Sequence, residues 1–247
     1  MTTAPIEADA TSVPAGLTPG RRPEFAAACA GARAGFQDVV NLAVVADGLE
    51  HRDEPDPRTT LNRLIAFGSV RAWERFVRDV SGTGAGGGRG DRLGRLRGGP
   101  AADVLAGLSG GRLPAAWRIA FPLTGTGTAL TFGPQRLTGT DDDLGAAVDW
   151  WVNARHRLPH RRLPRDTAWP VPTDAYDSDG ADVGPTTARF AFTLFLQLTD
   201  QAIRVLADAA GMARADELWL PAHWTAGWAT AEADARPLWH GAPVGAP

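Results

Sequence analysis

The chain contains no lysine: its 25 basic residues are all arginine. That absence excludes lysine Schiff-base chemistry, a Walker A phosphate site and the phosphate-pairing lysine of a protein kinase. A single cysteine, Cys29, excludes an intrachain disulfide and any multi-cysteine zinc or iron–sulfur centre. A chain of 247 residues built without disulfides fits a reducing compartment, so a cytoplasmic location is expected. Charge of one sign is also missing, since the formal net charge is only −3. Nothing electrostatic therefore calls for nucleic acid or an anionic membrane as partner. No apolar run reaches the length that spans a bilayer. Arg21-Arg22 ahead of an alanine-rich stretch faintly resembles an export signal, but Arg33, Gln37 and Asp38 interrupt the apolar region.

What is present reads as one mainly α, compact helical domain, residues 23–247, with one small β-hairpin (117–133) and long irregular loops. Residues 1–22 lack periodicity and are expected to be a disordered N-terminal segment. Pro23 to Asp47 carries Phe25, Cys29, Ala32, Phe36, Val39 and Ala43 at helical spacing, and Gly31 and Gly35 leave room for a second helix. A helix from Thr59 or Thr60 to Val80 would bury Leu61, Leu64, Ile65, Trp73, Phe76, Val77 and Val80, with Glu74 facing Arg78 across one turn. Residues 81–99 hold nine glycines and four arginines, which predicts a flexible loop.

Trp117–Leu123 and Thr128–Phe132 flank a Thr-Gly-Thr-Gly turn and predict the hairpin. Asp141 to about Arg157 predicts a helix with Leu144, Val148 and Trp151 on one face, stopped by Pro159. Residues 158–185 are proline-rich and irregular. From Thr187 to Ala210 a narrow polar stripe (Arg189, Thr193, Gln197, Gln201, Arg204, Asp208) crosses an otherwise apolar helix, which belongs at the centre of a domain.

Several motifs match familiar chemistry by letter. Gly82 to Gly87 fits a dinucleotide-binding glycine pattern, yet a helix precedes it where a strand is required. Gly107-Leu108-Ser109-Gly110-Gly111 fits a nucleophile elbow, but no alternating strands surround it, and a glycine-rich turn is the better reading. Asp149, Asn153 and His156 share a helical face with metal-ligand spacing to His160, which Pro159 spoils; no metal is expected. Asp177-Ser178-Asp179-Gly180 lacks both anchoring positions of a calcium loop.

Two constellations remain. Arg155, Arg157, Arg161, Arg162 and Arg165 concentrate positive charge near a helix end, and a guanidinium fork suits carboxylate or phosphate. Four of the nine tryptophans lie near the C-terminus, with Trp224 and Trp228 one helical turn apart and His223 adjacent. Together they point to a small-molecule enzyme or binder, for instance a bacterial tailoring protein, with an aromatic-lined pocket. His223 and His156 are its candidate acid–base groups, and Arg155, Arg162, Trp224 and Trp228 its candidate contacts to an anionic small molecule. The cofactor is unspecified. The competing expectation is a non-catalytic interaction subunit with a protein partner or a second copy of itself.

Overall fold

The computed structural model describes residues 21–49, 57–82, 93–97, 99–120, 136–140, 142–155, 183–212, 218–221 and 224. Helix α1 is Arg22–Gly48, α2 is Pro57–Ser81, α3 is Pro100–Leu108, α4 is Asp142–Ala154 and α5 is Pro185–Ala209. Strands β1, Arg118–Ala120, and β2, Arg136–Thr138, pair antiparallel with Ile119 opposite Leu137. The mainly α fold with one small hairpin is thus the observed architecture. The predicted first strand contains β1, but its partner is 136–138; the predicted 128–132 strand lies outside the described residues. So does the expected disorder of residues 1–20.

Helices α1 and α2 run antiparallel, Gly35 facing Ala72 and Val39 facing Gly68, and these small residues let them pack closely. A Cβ at Gly35 would stand 3.1 Å from that of Ala72, and one at Gly68 would stand 2.9 Å from Val39. Helix α2 is shared, packing against α1 on one side and α5 on the other. Trp73 stands at the middle of the resulting core, with its ring edge-on to Trp117 at 6.1 Å and tilted against Phe195 at 6.5 Å. The Trp117 indole N–H donates to the Leu198 carbonyl of α5 at 3.2 Å, so burial of that polar atom carries no penalty.

The polar stripe of α5 has structural work throughout its C-terminal half. Gln201 accepts from the Arg118 N–H at 2.7 Å and donates to the Arg118 carbonyl at 2.8 Å, imitating a further strand on β1. Arg204 pairs with Asp200 at 2.8 Å and lies 4.5 Å over the Trp219 ring. Asp208 pairs with Arg112. Arg21 and Arg22 likewise donate to the Val80 and Ala210 carbonyls, tying the start of α1 to the ends of α2 and α5.

Two residues depart from the buried face expected of α2. Leu64 is 44% exposed although Ile65 and Ala66 beside it are fully buried, so it lies on the outer side of the helix. Glu74 faces inward, 1% exposed, and its partners are Arg155 and Arg71. Helix α3 was not expected. It ends at the glycines that spacing assigned to a turn: Gly110 and Gly111 take φ of 63° and 82°, and the Gly111 N–H donates to the Ala106 carbonyl at 2.8 Å.

Candidate functional site

Charged and aromatic side chains concentrate where residues 93–97 cross α2 and α4. Polar contacts fix the crossing, beside Leu93 in the core and Leu96 packed against it. The Trp73 indole N–H donates to the Gly94 carbonyl at 2.8 Å. The Asp149 carboxylate accepts from the Leu96 N–H at 2.8 Å and the Arg97 N–H at 3.2 Å. Arg95 donates to the Asn153 side-chain oxygen, one turn further along α4. Glycine is required twice here: a Cβ at Gly94 would stand 2.8 Å from Glu74, and one at Gly145 would stand 2.5 Å from the Arg97 stem.

Beneath this crossing lies an internal ion pair. Arg155 Nη1 is 2.8 Å from Glu74 Oε1, with the two side chains 4% and 1% exposed. The same nitrogen donates to the Val152 carbonyl at 2.6 Å, which leaves Glu74 Oε1 in ionic contact but without an aligned hydrogen bond. Arg71 approaches the other carboxylate oxygen at 3.3 Å. Burial raises the proton affinity of Glu74 above the ordinary carboxylate value, and Arg155 and then Arg71 oppose it. Asp149 is raised for the same reason, with the Leu96 and Arg97 N–H groups opposing.

Around these two carboxylates stand five arginines, Arg71, Arg78 and Arg155 near Glu74 and Arg95 and Arg97 near Asp149, so arginine outnumbers the two acids even when both are ionised. Three donors on α4 and the 93–97 segment are buried and have no acceptor: Arg95 Nε, Trp150 Nε1 and Trp151 Nε1. The two indoles meet edge to face at 4.7 Å. Trp150 lies one turn before Asn153 on α4, and Asn153 is where Arg95 is held.

Of the residues singled out by sequence, Arg155 belongs to this junction and is committed to Glu74 inside the fold. Trp224 is buried in the core with Leu218 and Leu220, its backbone N–H donating to the Pro221 carbonyl at 2.9 Å. His156, Arg162, His223 and Trp228 lie outside the described residues. Asp149 and Asn153, which share a face with metal-ligand spacing, hold the 93–97 segment. Among the described residues no group of three His, Cys, Asp or Glu side chains could hold a metal. Ser109 is not an exposed nucleophile: it is 1% exposed, donates to the Ala106 carbonyl and accepts from the Leu113 N–H at 2.9 Å. A helix precedes its glycine turn where an elbow needs a strand.

Arg95, Trp150 and Trp151 escaped the sequence reading of the site. The adjacent tryptophans were the available signal, because neighbours on a helix point about 100° apart and cannot both face one core. Among the described residues no helix is long and apolar enough to cross a membrane. No protein family, curated protein or solved structure matches this chain.

Proposed function

We propose that the protein binds a small anionic molecule at the junction of α2, α4 and residues 93–97. The observation that carries this reading is the set of three buried N–H donors without acceptors, Arg95 Nε, Trp150 Nε1 and Trp151 Nε1, beside an excess of arginine. An unsatisfied buried donor costs about 1–3 kcal/mol, so an oxyanion that accepts from them recovers that free energy. Carboxylate or phosphate supplies such acceptors, and the paired indole faces suit an apolar or planar body attached to it. Glu74 and Asp149 act here as a frame: the first neutralises Arg155, and the second positions the backbone that carries Arg95.

Titration with inorganic phosphate, acetate and benzoate, followed by the indole N–H signals in ¹⁵N NMR spectra, tests the proposal. Binding is expected to move the Trp150 and Trp151 indole signals together, and the R95Q variant is expected to lose that response. Indole signals that stay fixed up to about 50 mM of every probe, weaker than any useful affinity, would overturn it.

A further inference from the structure

A carboxylate stands beside the donors that carry the proposed anion binding. Asp149 and Asn153 are one turn apart on α4, Asn153 receives the Arg95 guanidinium, and Trp150 follows Asp149 directly. Side chains one turn apart on a helix have Cβ atoms about 5–6 Å apart, so an anion held by Arg95 Nε meets the Asp149 charge at about 6 Å. The groups that hold this carboxylate are neutral. Leu96 donates its N–H to one oxygen at 2.8 Å, and Arg97 donates its N–H to the other at 3.2 Å. Backbone amides orient the carboxylate without cancelling its charge.

The balance of charge around Asp149 then decides which anions fit. Arg95 and Arg97 are the charged groups that act on it, and Arg97 is exposed, where water and salt screen its charge. On α2, Glu74 is paired with Arg155, and Arg71 and Arg78 also act on Glu74. With Asp149 ionised, the excess beside the donors is therefore one positive charge at most. Attraction to that excess doubles from a monoanion to a dianion, whereas the cost of taking the ion out of water rises with the square of its charge. A second negative charge on the ligand thus loses more in desolvation and in repulsion from Asp149 than it gains.

We infer that Asp149 restricts this site to singly charged organic anions, a carboxylate or a sulfate ester rather than a phosphate monoester. The inference rests on the anion-binding reading above and narrows its ligand class. Repulsion between unit charges at about 6 Å corresponds to at least about tenfold in affinity for the added charge. The Trp150 and Trp151 rings, edge to face at 4.7 Å, suit an aromatic body on such an anion.

Phenyl sulfate and phenyl phosphate test this, because they share a shape and carry one and about two negative charges at about pH 8. Each is titrated into the full chain at constant ionic strength and followed by the Trp150 and Trp151 indole N–H signals in ¹⁵N NMR spectra. The wild type is expected to bind phenyl sulfate at least about tenfold more tightly than phenyl phosphate. D149N is expected to bring the two within about threefold by raising the affinity for phenyl phosphate, while D149E, which keeps the charge, keeps the preference. Looser packing of residues 93–97 in a variant weakens both ligands together, so the ratio of affinities reads charge alone. Equal affinities in the wild type, or a ratio unchanged in D149N, overturn the inference and leave the anion site standing. Indole signals that stay fixed with both ligands overturn the site itself, and this inference with it.

Discussion

Glu74 and Arg155 form an ion pair whose two members are not equivalent, and cutting it from either side separates them. Arginine cannot shed its proton in a protein interior, whereas a carboxylate can neutralise itself by taking one up. Glu74→Gln therefore leaves a charged guanidinium, 4% exposed, without the carboxylate 2.8 Å away. Removing one member of a buried pair costs about 3–5 kcal/mol, and the Val152 carbonyl retained by Arg155 places this case near about 3 kcal/mol. Arg155→Gln leaves a carboxylate that still has Arg71 at 3.3 Å and escapes its penalty by protonation. That variant is expected to lose about 1–2 kcal/mol at mildly acidic pH.

The pH dependence gives the sharper distinction. Burial holds the folded-state pKa of Glu74 above its unfolded value. Its stabilising contribution is therefore complete below the unfolded pKa and is lost as pH rises through the folded one, where a buried group must ionise. Without Arg155 the folded pKa climbs further, so the deficit of Arg155→Gln grows with pH, while that of Glu74→Gln, which no longer carries the titrating carboxyl, shrinks. Urea unfolding followed by tryptophan fluorescence at about pH 5 and about pH 8 measures both variants. Equal losses from the two substitutions, or an Arg155→Gln deficit that is the same at both pH values, would refute the reasoning.

Two further substitutions probe particular contacts. A Cβ at Gly139 would stand 1.7 Å from the Pro114 carbonyl oxygen, which is backbone. Gly139→Ala is expected to cost about 3 kcal/mol, lowering Tm by about 6–12 °C in calorimetry, and a fall under about 2 °C would deny the close approach. Asp149→Ala removes the acceptor of the Leu96 and Arg97 N–H groups and should speed their hydrogen exchange at least about tenfold, leaving Val148 in α4 protected. Because burial also raises Asp149, its contribution to stability is lost as pH rises through its folded pKa, in the same direction as that of Glu74.

Periodicity alone located four of the five helices, because each buries a stripe whose spacing follows from 3.6 residues per turn. Phe25, Phe36, Trp73, Phe76 and Trp151 lie in the core for that reason, and the nearly all-apolar α5 is buried along most of its length. Local chemistry also identified the turn after α3, since glycines with positive φ announce themselves in sequence. Helix α3 itself was missed: nine residues between glycine-rich segments carry too short a pattern to stand out.

The site was largely illegible, and the reason is pairing over distance. Arg155 looked like a free anion-binding group, but Glu74, far away in sequence on α2, receives it inside the fold. Asp149 and Asn153 looked like metal ligands or a solvated face, yet they grip backbone and side chain some fifty residues upstream. The sequence by itself determined which residues must be buried and which helices must form, because those follow from local spacing and the transfer of apolar surface from water. Only the tertiary structure decided which polar groups are spent on one another and which donors remain without acceptors. Hydrogen bonds and ion pairs depend on directions and separations of an ångström or less, and no spacing along the chain encodes them.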